Sequence, residues 1–130
     1  MTTIFSRIIA GEIPGTFVHR DDVAVAFMTI NPIADGHVLV VPRDEVDEWT
    51  DLPPEIASHL FELSARIGRA QKTAFGCQRI GLIVAGYEVP HCHIHVIPTH
   101  SLADLSFANA ATTVERATLE DNARRIVAAL

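Results

Sequence analysis

Glu88-Val89-Pro90-His91-Cys92-His93-Ile94-His95-Val96-Ile97-Pro98 carries three of the chain's seven histidines, alternating with apolar residues at strict period two. Alternation of this length predicts a half-buried strand over the histidine run, with successive side chains on opposite faces. His91, His93 and His95 are therefore expected on one face. Neighbours in such a row stand roughly 6 to 7 Å apart, so a phosphate-sized group can touch the middle one and a neighbour together. Cys92, Ile94 and Val96 point the other way, into a core. Packing alone gives no reason for three imidazoles on one face, because a hydrophobic surface offers their ring nitrogens no partners. A plainly solvated face would carry Lys, Glu or Thr more readily than histidine alone.

Outward from this stretch, the chain alternates short apolar runs with turn signals. Upstream, Arg79 to Ala85 supplies a strand, and Gly86-Tyr87-Glu88 turns the chain back into the histidine run. Asp51 followed by Pro53 and Pro54 marks a helix start. Ile56, Leu60, Leu63 and Ile67 then share one face until Gly76 stops the helix. Gly36-His37 leads into Val38-Leu39-Val40-Val41-Pro42, a central strand ended by proline. Thr16 to His19 and Val23 to Ile30 flank Arg20-Asp21-Asp22 as a hairpin, and Asn31-Pro32 stops its second strand. At the N-terminus, Ile4, Phe5, Ile8 and Ile9 recur at helical spacing before Gly11. Downstream, Ser101 to Thr113 forms an irregular arm with Leu102, Leu105 and Phe107 as anchors. A terminal helix follows, for which Thr118 and Asp121 resemble a capping box and Leu119, Ala123, Ile126, Val127 and Leu130 make an apolar stripe. Neighbouring strands on short turns with one interposed helix favour an antiparallel α+β domain over a parallel sheet.

At 130 residues and 48% hydrophobic residues, the chain has material for one domain with its own core, taken as 1–130. Its net charge of -6 argues against a long nucleic-acid partner, which needs clustered Lys and Arg. Cys77 and Cys92 have neither metal spacing nor the density of a disulfide scaffold, which fits a reducing, cytoplasmic setting. No continuous apolar segment predicts a signal peptide or a membrane span.

His-φ-His-φ-His-φ-φ, with φ apolar, runs from His91 to Ile97 and resembles the signature of the histidine triad (HIT) family of nucleotide-binding hydrolases and transferases, in its Hint-like branch. The resemblance extends upstream through Thr3-Ile4-Phe5-Ser6-Arg7-Ile8-Ile9, Gly11-Glu12-Ile13-Pro14, Asp21-Asp22, Ala26-Phe27-Met28-Thr29-Ile30-Asn31-Pro32 and Gly36-His37-Val38-Leu39-Val40-Val41-Pro42, so it covers residues 3–98. It implies a HIT-like fold: an antiparallel sheet of about five strands, one long covering helix and a short N-terminal helix, with 99–130 as a helical extension. It also implies that His93 attacks the α-phosphorus of a purine nucleoside mono- or dinucleotide, with His91, His95 and His37 holding the phosphate. Ile4, Phe5, Ile8 and Phe27 would line the base pocket, Thr29 would face the ribose, Ile30 would also contact the nucleotide, and Glu88 and Val89 would offer backbone N–H groups. No cofactor and no metal are expected. A homodimer is, with Trp49, Phe61 and the C-terminal stripe as contact surface.

Departures from the family pattern bear on specificity. Thr29 stands where many relatives have a carboxylate for the ribose hydroxyls. The loop before the triad is short, and Tyr87 takes the place of a glutamine. Thr3 and Ser6 replace the Cys-x-x-Cys that holds structural zinc in some bacterial relatives. Two other readings stay open: a nucleotide-binding module without turnover, and a metalloprotein in which His-x-His is completed by His37 or Glu88.

Overall fold

The computed structural model describes residues 2–130. Thr3 starts the first element: its hydroxyl oxygen accepts the Ser6 backbone N–H and so caps α1 (Ile4–Ile9), which buries Phe5 and Ile8. The expected hairpin follows as β1 (Phe17–Arg20) and β2 (Ala24–Met28). Asp21 closes its turn by accepting the Val23 and Ala24 backbone N–H groups on one carboxylate oxygen. The run after His37 is β3 (Val38–Pro42).

Pro54 opens α2 (Pro54–Phe75) at a position where a helix has no use for its missing N–H. Gly76 ends it at φ 64°, a left-handed conformation that glycine adopts without strain. β4 (Arg79–Ile83) and β5 (Ile94–Thr99) come next, then two 3-10 turns at Leu102–Leu105 and Phe107–Asn109, and finally α3 (Arg116–Ala129).

The five strands form one antiparallel sheet in the order β1-β2-β3-β5-β4, so the fold is α+β as expected. Every residue of β2, β3 and β5 is buried, because both faces are covered. On one face Ala26, Val40, Ile94 and Val96 pack against Leu60, Leu63 and Ile67 of α2 and Leu119 and Ile126 of α3. Full burial of a side chain such as Ile67 is worth roughly 1.5–3 kcal/mol, which fixes the long helix on the sheet. The opposite face carries Val25, Phe27, Leu39 and Val41 against Phe5 and Ile8. The short α1 covers only part of that face.

Three expectations change. The strand expected from His91 begins at Ile94. The β3–β5 ladder ends at the Val40–Ile94 pair, and the Cys92 N–H bonds instead to the Val46 carbonyl at 2.7 Å, so the start of the histidine run is not sheet-paired. The terminal helix begins at Arg116, with the Glu115 carbonyl accepting the Thr118 and Leu119 N–H groups, and the Thr118–Asp121 box is not used. Leu119, Ala123 and Ile126 of the C-terminal stripe lie buried on the domain itself, leaving only Val127 and Leu130 exposed for a partner.

Candidate active site

The alternation of β5 puts Ile94 and Val96 into the α2 core and His95 on the other face, paired in register with Leu39 of β3. His93 precedes the strand on that same side, with ring centroids of His93 and His95 4.9 Å apart. Their face lies where α1 stops covering the sheet, and a cavity of about 540 Å³ opens there. Ile4, Phe5 and Ile8 of α1 and Phe27 of β2 line one side, the Phe5 and Phe27 rings meeting edge to face at 5.5 Å. Thr29 and Ile30 line the cavity past the end of β2, while His37, Glu88 and Val89 join His93 and His95 at the reacting end. Glu88 and Val89 follow Gly86, at φ 92°, and their backbone N–H groups have no acceptor among the described residues.

His91 stands apart. Its ring is fully buried and does not line the cavity. Nε2 donates to the Pro42 carbonyl at 2.8 Å, so Nδ1 is left to accept, and the Thr3 hydroxyl donates to it at 2.8 Å. The Ser6 hydroxyl and the Thr3 N–H both donate to Glu45, at 2.7 and 2.8 Å. Those two bonds, the Ser6 hydroxyl first, hold the Glu45 carboxyl below its ordinary pKa. Thr3 thus caps α1 and fixes His91 with one hydroxyl. Burial holds the His91 imidazole below its usual pKa, against the pull of the Pro42 carbonyl.

Hydrogen-bond partners assign the tautomers of the other three rings. The Ile33 backbone N–H donates to His37 Nδ1 at 3.1 Å, so neutral His37 carries its proton on Nε2. That N–H faces His95 Nδ1 at 2.9 Å, which must accept, and the His95 proton therefore sits on Nε2. His93 Nδ1 donates to the His91 carbonyl at 2.8 Å and leaves Nε2 with a lone pair. Burial, helped by neighbouring imidazoles, pushes His37 down to about 3 and His95 down to about 4, so both are neutral at pH 7. One free lone pair and one free N–H result, on adjacent rings.

Glu88, His93 and His95 present ligand atoms within 4.8 Å of one another. They fit a metal poorly. His95 can offer Nε2 only by moving its proton to Nδ1, where it meets the His37 N–H and breaks a buried hydrogen bond.

The sequence marked the arm after β5 but not that it reaches the cavity. Phe107 packs its ring against His95 at 4.9 Å, and Val114 and Arg116 also line the cavity, held by Asn31 Nδ2 donating to the Ala111 and Thr112 carbonyls. Phe107 was legible as an anchor; nothing local marked Arg116. Tyr87 does not line the cavity and is 98% exposed. A second apolar cavity of about 610 Å³, between α2 and the β4 edge, is lined by Trp49, Phe61, Leu82 and Cys92 and lies on the other face. Burial pushes the Cys92 thiol up to about 11, and both cysteines are free. Among the described residues, no helix is long and apolar enough to cross a membrane.

The family model described as "HIT domain" matches residues 10–102. Protein hit of Bacillus subtilis (strain 168) is 34% identical over 108 residues, which span 78% of this chain and 73% of that protein. The adenylylsulfatase HINT3 of Arabidopsis thaliana is 30% identical over 100 residues, 73% of this chain and 51% of that one. The crystal structure of a Hit-like protein involved in cell-cycle regulation from Bartonella henselae, with an unknown ligand, superposes with a TM-score of 0.85 at 31% identity, covering 99% of this chain and 97% of that chain.

Proposed function

The chain belongs to the histidine triad (HIT) family, and on that premise we propose that it is a nucleotide hydrolase or nucleotidyl transferase acting at the α-phosphorus of a purine nucleotide, such as a phosphoramidate or a dinucleotide. One observation carries this: His93 Nε2 keeps its lone pair in the cavity while Nδ1 is tied to the His91 carbonyl, beside a His95 Nε2–H free to donate. Neutral imidazole held in that tautomer is a competent nucleophile toward phosphorus.

In the first step the Nε2 lone pair forms a bond to the α-phosphorus, and the bond to the leaving group breaks with its electron pair departing on that group. Water or another acceptor then displaces His93 and releases the nucleotidyl group. The His95 N–H and the unused N–H groups of Glu88 and Val89 meet the charge on the phosphoryl oxygens, the positioning and electrostatic work such transfers chiefly need. His37 acts through His95, and His91 through His93. The base lies between α1 and Phe27, where apolar and aromatic side chains give it a face to pack on. Thr29 offers the sugar a neutral hydroxyl, already an acceptor for the Asn31 N–H, and so a weaker hold than a carboxylate.

A binding module without turnover is the second reading, favoured by the fully exposed Tyr87 at the position where the family resemblance implies a glutamine. Steady turnover of adenosine 5'-phosphoramidate, with the adenylyl group recovered on His93 by rapid-quench peptide mass spectrometry, is the expected result. Tight AMP binding with no turnover would establish the module instead. For assembly, the reading includes a homodimer through the α2–β4 face, where Trp49, Phe61 and Leu82 are exposed around the apolar cavity. Light scattering giving only the monomer mass would remove it.

A further inference from the structure

We infer that the site takes a nucleotide phosphorylated on its sugar as well as at the 5' position, with Arg116 holding the second phosphate. The inference rests on the nucleotide placement of the proposed function and names a substrate class for it. With the base between α1 and Phe27 and the α-phosphorus at His93, the sugar spans the stretch between them. The cavity wall beside that stretch is made by Thr29, Ile30 and the arm.

Two anchors bring Arg116 to this wall. Asn31 Nδ2 donates to the Ala111 and Thr112 carbonyls, both at 3.1 Å, while the Asn31 N–H donates to the Thr29 hydroxyl at 3.2 Å, so the arm is clipped beside Thr29. Farther along, α3 packs on β2: Leu119, one helical turn past Arg116, lines the cavity and is buried in the same cluster as Met28, the residue before Thr29. Arg116 lies between these anchors in the chain, and its side chain is exposed at the cavity.

The charge of Arg116 has no partner. Elsewhere on α3, Arg124 donates to Asp121 and Arg125 to the Ala74 carbonyl, whereas Arg116 makes no ion pair among the described residues. It is the one Lys or Arg among the described residues that line the cavity, and the one lining carboxylate, Glu88, stands at the reacting end. The α-phosphoryl group has its own donors in the His95 Nε2–H and the N–H groups of Glu88 and Val89, so it does not require Arg116. What remains at the sugar edge is a cation and a neutral hydroxyl. A carboxylate beside a sugar accepts from its hydroxyls and repels a phosphate there; an arginine does the reverse, because its fork offers two parallel N–H groups to phosphate oxygens.

Calorimetry with AMP, ADP, adenosine 2',5'-bisphosphate and adenosine 3',5'-bisphosphate tests this. One of the two bisphosphates should bind about tenfold tighter than AMP, and which one does so identifies the sugar hydroxyl that carries the phosphate. That gain should shrink with added salt and fall below about twofold in Arg116→Gln. It should fall as far in Thr29→Asp, where the new carboxylate pairs with Arg116 and repels the phosphate. ADP carries its extra phosphate on the 5' chain and should show little of the gain. Bisphosphates that bind no tighter than AMP, a gain that survives in either variant, or an equal gain for ADP that Arg116→Gln removes would each overturn the assignment and leave the nucleotide reading standing on AMP. If neither AMP nor the bisphosphates bind, the nucleotide reading itself fails and takes this inference with it.

Discussion

Histidines converge at two places in this molecule, and their partners differ. On the surface, His19 and His59 each donate Nε2–H to the same oxygen of Asp21 at 2.8 Å, tying the β1–β2 turn to α2. In and behind the cavity, His37, His91, His93 and His95 have no carboxylate within hydrogen-bond distance among the described residues; their partners are two backbone carbonyls, one backbone N–H, a threonine and a serine hydroxyl, and, for His37 and His95, each other. Partial burial pushes the Asp21 carboxyl up, yet the donors from His19, Ala24, Val23 and His59 together hold it far below the carboxylate range. A charged acceptor makes a fastening that tolerates either form of the imidazole. Neutral partners instead fix each ring in one tautomer, which is what a nucleophile needs. The same residue type is used once to hold and once to react.

The largest effect that would break this contrast is at His93. His93→Ala should lower turnover by more than about a thousandfold and leave AMP affinity within about tenfold, because the lone pair is lost while the base and sugar contacts remain. Calorimetry with AMP and a phosphoramidate assay measure the two halves. Substantial residual turnover would take the reacting role away from the cavity cluster.

Next is the pH dependence of stability. His37 and His95 fall from 6.5 in the unfolded chain to about 3 and about 4 in the fold. Between those limits the unfolded chain binds protons that the folded chain refuses, so stability is full above pH 6.5 and is lost as pH falls toward 4. Each histidine kept neutral costs about 1.4 kcal/mol for every pH step of one below that point, and by pH 4 the loss amounts to several kcal/mol. Asp21 works in a lower window: its contribution is present above its unfolded value of 3.8 and is lost only below that. Urea unfolding at stepped pH should therefore show the main loss between pH 6.5 and 4, reduced in His37→Gln. A flat profile across that range would mean the cavity rings are not held neutral.

A smaller effect sharpens how the neutral cluster is held. Thr3→Val keeps the shape of the side chain but leaves buried His91 Nδ1 only the Ser6 hydroxyl, 3.4 Å away and already donating to Glu45, a loss of about 1–3 kcal/mol, and removes the α1 cap. Because the His91 carbonyl fixes the His93 tautomer, kcat should fall about tenfold to a hundredfold with KM little changed, and Thr3→Ser should restore it. Nitrogen NMR of the imidazoles gives the specific signature: His93 Nε2 unprotonated in the wild type, a tautomer mixture in Thr3→Val. A lower melting temperature with unchanged kcat and a single tautomer would make Thr3 merely structural.

What the sequence disclosed, and what it hid, follows the range of the interactions. Period two placed His93 and His95 on one face, Gly76 stopped α2 and the hairpin closed at Asp21, since each depends on residues a few positions apart. The withdrawal of His91 behind the cavity wall depends on Pro42 and Thr3, 49 and 88 residues away, and no local pattern encodes it. The same holds for the arm: Phe107 reaches His95 only because Asn31 ties down residues 111 and 112 across the chain. His19 and His59 read as surface histidines, and their shared carboxylate was invisible because His59 comes from α2, 38 residues beyond Asp21.

The smallest effect belongs to that surface cluster and tests whether holding and reacting are separate. Asp21→Asn keeps an oxygen for the Val23 and Ala24 N–H groups, so the turn survives, but it replaces the charged acceptor that His19 and His59 share. Hydrogen bonds to a charged group are worth about 1.5–3 kcal/mol when enclosed and less at the surface, and these side chains are 19 to 37% exposed. A loss of about 1 kcal/mol in unfolding free energy is expected, with kcat/KM within about twofold of the wild type, since none of the three residues lines the cavity. His59→Ala alone should cost less than Asp21→Asn, because His19 still holds the carboxylate. If Asp21→Asn instead lowered turnover by tenfold while stability was unchanged, the two histidine clusters would be coupled through β2, and the division between a fastening and a reacting site would not stand.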